Sequence, residues 1–91
     1  MTIKIAGVEF DNHFYDAEVD VLYLHAGDPA SAVDWSDSEE GDGLRYGADG
    51  DLVGITILNA KLRLDRDGKI VITMPKKRVE ATDLGGLLAA V

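Results

Sequence analysis

Three acids alternate in the stretch "YDAEVDVLYL": Asp16, Glu18 and Asp20. Oxygen ligands at alternate positions are what a calcium loop uses at its first three coordinating slots. An EF-hand also needs a glycine at the sixth position and a glutamate at the twelfth, and those slots hold Val21 and Gly27. The loop therefore fails the pattern, and the acids read better as the polar turn of a hairpin, with Asp16 accepting from local backbone amides. The two histidines, His13 and His25, would approach each other if residues 11–15 and 20–26 paired through that turn. With Asp16 or Asp20 nearby they are weak candidates for a metal or small-molecule site, and their spacing follows no metal motif.

Other chemistries find less support. With no cysteine, thiolate catalysis, disulfides and Cys-based metal sites are excluded. Ser31, Ser36 and Ser38 lie in an acidic segment without the strand-to-helix turn that exposes a nucleophilic serine. "GDGLRYG" lacks the Lys-Ser/Thr ending of a phosphate loop. No cofactor is implied, and a hydrolytic enzyme ranks last among the readings.

These residues must be positioned by a small framework. Ninety-one residues make one domain, 1–91, with a thin core. Hydrophobic residues at 46% and charged residues at 29% are globular proportions. Residues 2–15 read as a strand pair or one long bent strand: Ile3 and Ile5 share one phase, Val8 and Phe10 the other, with a bulge or tight turn at Gly7. Val21 to Leu24 is apolar in both phases, which predicts a central strand covered on two sides. Asp49-Gly50 joins two strand-like runs as a hairpin turn. "KLRLDRDGKIVITMP" reads the same way: Leu62 and Leu64 alternate with polar residues as a strand, and Asp67-Gly68 turns it back. Pro75 ends that pairing, and the bases beyond it read as a turn. Leu84, Leu87, Leu88 and Val91 fall at helical spacing, so residues 82–91 are expected to form a short C-terminal helix. The expected fold is α+β: an antiparallel, meandering sheet of five or six strands with one C-terminal helix. Since one short helix covers one sheet face, a homodimer closing the other is expected.

Charge is unevenly placed. Residues 1–60 carry thirteen acids against Lys4 and Arg45, and the whole chain has a net charge of −8. Such a chain is repelled by a phosphate backbone, so nucleic acid is an unexpected partner. Residues 27–43 form an acidic loop with six acids and no base. Within it Trp35 is either a clamp onto the core, the favoured reading, or an anchor for a partner. Together with Asp34, Asp37, Glu39 and Glu40 it makes the candidate surface for a basic protein. No apolar run approaches membrane-span length, and "MTIKIAGVEF" lacks the apolar stretch of a signal peptide. A cytoplasmic, prokaryotic protein fits these features.

"YDAEVDVLYL" (15–24) and "YGADGDLVGITILNA" (46–60) together resemble the small prokaryotic domain-of-unknown-function 2283 family. Tyr15, Asp16, Asp20, Leu22, Tyr23, Gly50, Gly54, Ile55 and Ala60 match its pattern, and Gly47 stands where the pattern has aspartate. The resemblance covers about half the chain. It implies the fold more than an activity. For some members it implies partnership with small RelE-like proteins, hence an antitoxin-like interaction module.

Overall fold

The computed structural model describes residues 3–5, 7–27, 32–74, 77–81 and 88. The described strands form three antiparallel sheets. Strands β1 (Ile3–Ile5) and β2 (Val8–Phe10) form a hairpin. Gly7 makes its turn at φ 80°, a conformation that costs glycine nothing. A five-stranded sheet follows, with β3 (Asn12–Asp16), β4 (Val21–His25), β5 (Asp34–Asp37), β6 (Gly43–Tyr46) and β7 (Leu52–Leu58) in the order β3-β4-β7-β6-β5. Helix α1 (Ala60–Asp67) leaves β7 directly. A second hairpin, β8 (Ile70–Met74) with β9 (Lys77–Ala81), completes the described chain. The architecture is α+β, as expected. The "DAEVD" and Asp49-Gly50 turns join strand pairs as the sequence indicated.

Alternation fixes the two faces of the large sheet. Leu22 lies opposite Tyr15 and Ile57, and Leu24 lies opposite Ile55, which pairs with Leu44. These side chains are buried on the inner face, in one cluster with Ile5, Phe10, Ala60, Ile70, Ile72 and Leu88. The two hairpins and α1 thus contribute to the same core. On the outer face the residues between them line up as Phe14, Tyr23 and Thr56, then Asn12, His25, Gly54, Arg45 and Trp35.

Four expectations need correction. Residues 60–67 are a helix, not a wet-faced strand. The Leu62/Leu64 alternation was accidental: Leu62 points to solvent, while Ala60 and Leu64 face the core at helical spacing. Gly68, expected in a hairpin turn, is the helix C-cap at φ 73° and donates its N–H to the Leu64 carbonyl. Lys77 and Arg78, expected in a turn, begin β9. The 27–43 segment is not a plain loop, since it carries β5, the sheet's edge strand. The expected helix over 82–91 lies outside the described residues except for Leu88, which is helical and buried. The outer face of the central strands, for which a second copy was expected, is open among the described residues, with Tyr23 and Leu58 each 42% exposed.

Candidate functional site

The triad that opened the question divides its labour structurally. Asp16 closes its own turn, accepting from the Glu18 amide at 3.1 Å. Asp20 sits at φ 56° at the turn's end, and its carboxylate reaches across the fold. It accepts from the Lys61 and Leu62 amides at 2.8 and 3.1 Å and from the Tyr15 hydroxyl at 2.7 Å. Its own carbonyl accepts from the Ala60 amide. The residue that precedes α1, Asn59, makes no side-chain cap, so Asp20 supplies the cap from forty residues away in sequence. Burial alone would raise the Asp20 carboxyl. The Tyr15 hydroxyl and the two helix amides outweigh it and hold the group below the ordinary aspartate value. Tyr15, donating to that carboxylate and buried beside it, is pushed up to about 12.

A second carboxylate ties the acidic segment to the helix. Asp42 is fully buried and pairs with Arg63 through two bonds of 2.6 and 3.1 Å. It also accepts from the Ser38 hydroxyl and the Leu58 amide. Arg63 donates onward to the Leu58 and Val71 carbonyls, which joins β7, α1, β8 and the 38–42 turn at one guanidinium. Glu40, expected to face a partner, is instead turned onto β8 and accepts from the Thr73 amide and hydroxyl, both at 2.6 Å. Those bonds hold its carboxyl below the usual glutamate value against the opposing effect of burial.

The metal candidates do not converge. Register places His13 opposite Leu24 and His25 opposite Asn12, so alternation sends the two imidazoles to opposite faces. Asp20 is committed to α1. Among the described residues no group of three metal-ligating side chains comes together.

Two surfaces remain unspent. The first is β5 at the sheet edge. Trp35 is 65% exposed, so it is not a clamp onto the core, and Asp34, Asp37 and Glu39, neighbours along the chain, are exposed as well. Only β6 pairs with β5 among the described strands. The second is a pocket of about 250 Å³ on the outer face, lined by the side chains of Asn12, Phe14, Tyr23, His25, Arg45 and Thr56. Phe14 and Tyr23 stack along it with centroids 6.1 Å apart. Gly54 shapes the site, because a Cβ there would stand 3.1 Å from the His25 ring at Cδ2. Both His25 nitrogens are shielded from solvent and meet no hydrogen-bonding group of the protein. Leaving such polar atoms unmatched costs about 1–3 kcal/mol. Sequence reasoning singled out His25 for metal binding and passed over Arg45. The one usable signal was that Arg45 is the sole base between Lys4 and Lys61.

The model of the family described as "Protein of unknown function (DUF2283)" matches residues 13–61, more than half of the chain. The chain belongs to the DUF2283 family. No curated protein and no solved structure matches it. The matched segment runs from β3 to the first turn of α1, so the DUF2283 unit here is the five-stranded sheet plus the turn that Asp20 caps. Both hairpins outside the sheet, β1–β2 and β8–β9, lie beyond it. No helix among the described residues is long and apolar enough to cross a membrane.

Proposed function

We propose that this DUF2283 protein is a protein-interaction module that captures a basic partner along the β5 edge. The observation that supports the reading is an edge strand without a described outer neighbour, bearing an exposed tryptophan between exposed acids. Such an edge accepts an added strand through main-chain hydrogen bonds, while flanking side chains select the sequence. Asp34, Asp37 and Glu39 select for lysine and arginine, and the net charge of −8 steers a basic protein toward the surface. The same acids disfavour a second copy adding to this edge, since like charges would meet. Neutralising a small basic protein in the manner of an antitoxin is one biological form of this activity. No catalytic role is part of the proposal.

The test is titration with a synthetic extended peptide of alternating lysine and valine, read by Trp35 emission. The expected result is binding that weakens steeply with salt and is lost in an Asp34→Lys, Asp37→Lys double variant. A peptide N-methylated along one edge should also fail, because it cannot complete the ladder. Equal binding by the N-methylated and plain peptides would leave only diffuse charge attraction and defeat the reading.

A further inference from the structure

The geometry points to a binding site for a small aromatic carboxylate on the outer face of the sheet, with Arg45 holding the carboxylate and the Phe14–Tyr23 pair holding the ring. This goes beyond the β5 reading and does not depend on it. The pocket's size sets the ligand's size. A cavity of about 150 Å³ admits benzene, so the roughly 250 Å³ here suits an acid of one or two rings. Its wall sets the ligand's shape: Phe14 and Tyr23 lie 25° from coplanar and present flat apolar surface, which favours a planar partner.

Charge sets the ligand's sign. Arg45 stands within a segment of thirteen acids, yet it makes no ion pair among the described residues. A planar guanidinium with no carboxylate partner among the described residues, at the rim of an apolar pocket, is the group that recognises a carboxylate through two parallel bonds. His25 supplies an independent reason to expect a ligand. Its two ring nitrogens are shielded and unmatched, and the imidazole lies over Gly54 at the pocket floor. A ligand oxygen beside Arg45 would partner one of them once the His25 ring turns toward the pocket. Thr56, two residues from Gly54 on the same face, adds a hydroxyl at the wall.

The probe pair is 2-naphthoate and its neutral counterpart 2-naphthamide, titrated into the full chain by calorimetry and by amide chemical shifts. The acid should bind more tightly than the amide and shift the resonances of Tyr23, His25, Gly54 and Thr56. Arg45→Met, at an exposed position, should weaken naphthoate roughly tenfold or more and leave naphthamide within about twofold. Phe14→Ala should weaken both. The Asp34→Lys, Asp37→Lys variant should still bind naphthoate, which separates this site from the β5 edge. Equal affinity for acid and amide, an unaffected Arg45→Met variant, shifts confined to α1, or no shift at millimolar naphthoate would each overturn the assignment.

Discussion

Removing Arg63 tests whether the acidic segment is held by the buried pair. Truncation to alanine leaves the Asp42 carboxylate fully buried and takes away both of its guanidinium bonds. It also strips the Leu58 and Val71 carbonyls of donors. Breaking one side of a buried pair typically costs about 3–5 kcal/mol, most of it the uncompensated charge. A domain of this size has about 5–14 kcal/mol in total. Arg63→Ala should therefore lower the melting temperature by about 15–30 °C. Urea melts followed by far-ultraviolet circular dichroism give the free energy directly. Arg63→Lys keeps the charge and loses the fork, so its cost should fall between wild type and alanine. An Asp42→Leu, Arg63→Leu double variant should recover much of the loss, because it buries neither charge. A cost under about 1 kcal/mol for Arg63→Ala would put the pair in the class of exposed bridges and refute the reasoning.

Asp20→Ala should cost about 1–2 kcal/mol, the range of a lost helix cap, and the Lys61 and Leu62 amides should then exchange faster with solvent. The Asp20–Tyr15 pair also fixes two pH limits. The Asp20 carboxyl is lowered in the folded state, so its stabilisation is present above the ordinary aspartate value near 3.9 and is lost as pH falls through the folded value. Tyr15 is raised to about 12, so its contribution is present below about 10 and is lost between there and 12. Absorbance at tyrosinate wavelengths should show one of the three tyrosines ionising late, and Tyr15→Phe should abolish that step. Trp35→Ala should change stability by less than about 0.5 kcal/mol in the same urea melts, because the ring is exposed. A larger loss would mean that the ring packs against the fold after all.

The sheet was legible because its signals were local. Val21 to Leu24 is a short apolar run without a break, Ile55 lies between Gly54 and Thr56, and Asp49-Gly50 marks its own turn. Helix α1 was not legible, because what makes it a helix is distant. Its cap is Asp20, and Arg63 finds its partner at Asp42, twenty-one residues away. A seven-residue window with leucines two apart shows neither, and periodicity alone favoured a strand. The acidic segment misled for a related reason. Composition counts Asp42 and Glu40 with Asp34 and Asp37, although Asp42 is buried in its pair with Arg63 and Glu40 is tied to Thr73. The pocket was invisible for want of any motif. It depends on register, which sets His25, Gly54 and Arg45 side by side across three strands.

That sorting of the acids bears on the functional reading. Net charge alone supports a basic partner anywhere on the surface. Once Asp20, Glu40 and Asp42 are assigned to the helix cap, the β8 contact and the buried pair, they cannot serve as docking charges without giving up those bonds. Asp34, Asp37 and Glu39 remain exposed, and they sit in and just beyond β5. Asp34 accepts from the Trp35 amide, which orients its carboxylate along the strand rather than away from it. Charge and a backbone edge unpaired among the described strands therefore coincide at β5. The coincidence has a consequence for selectivity. A partner held by charge alone would tolerate moving Asp34 and Asp37 elsewhere on the surface at constant net charge. A partner added as a strand would not. Swapping Asp34 and Asp37 to asparagine while introducing two aspartates on the exposed side of α1, at Lys61 and Leu62, changes net charge further toward the acidic. If strand addition is the mode, affinity for the lysine–valine peptide should nonetheless fall.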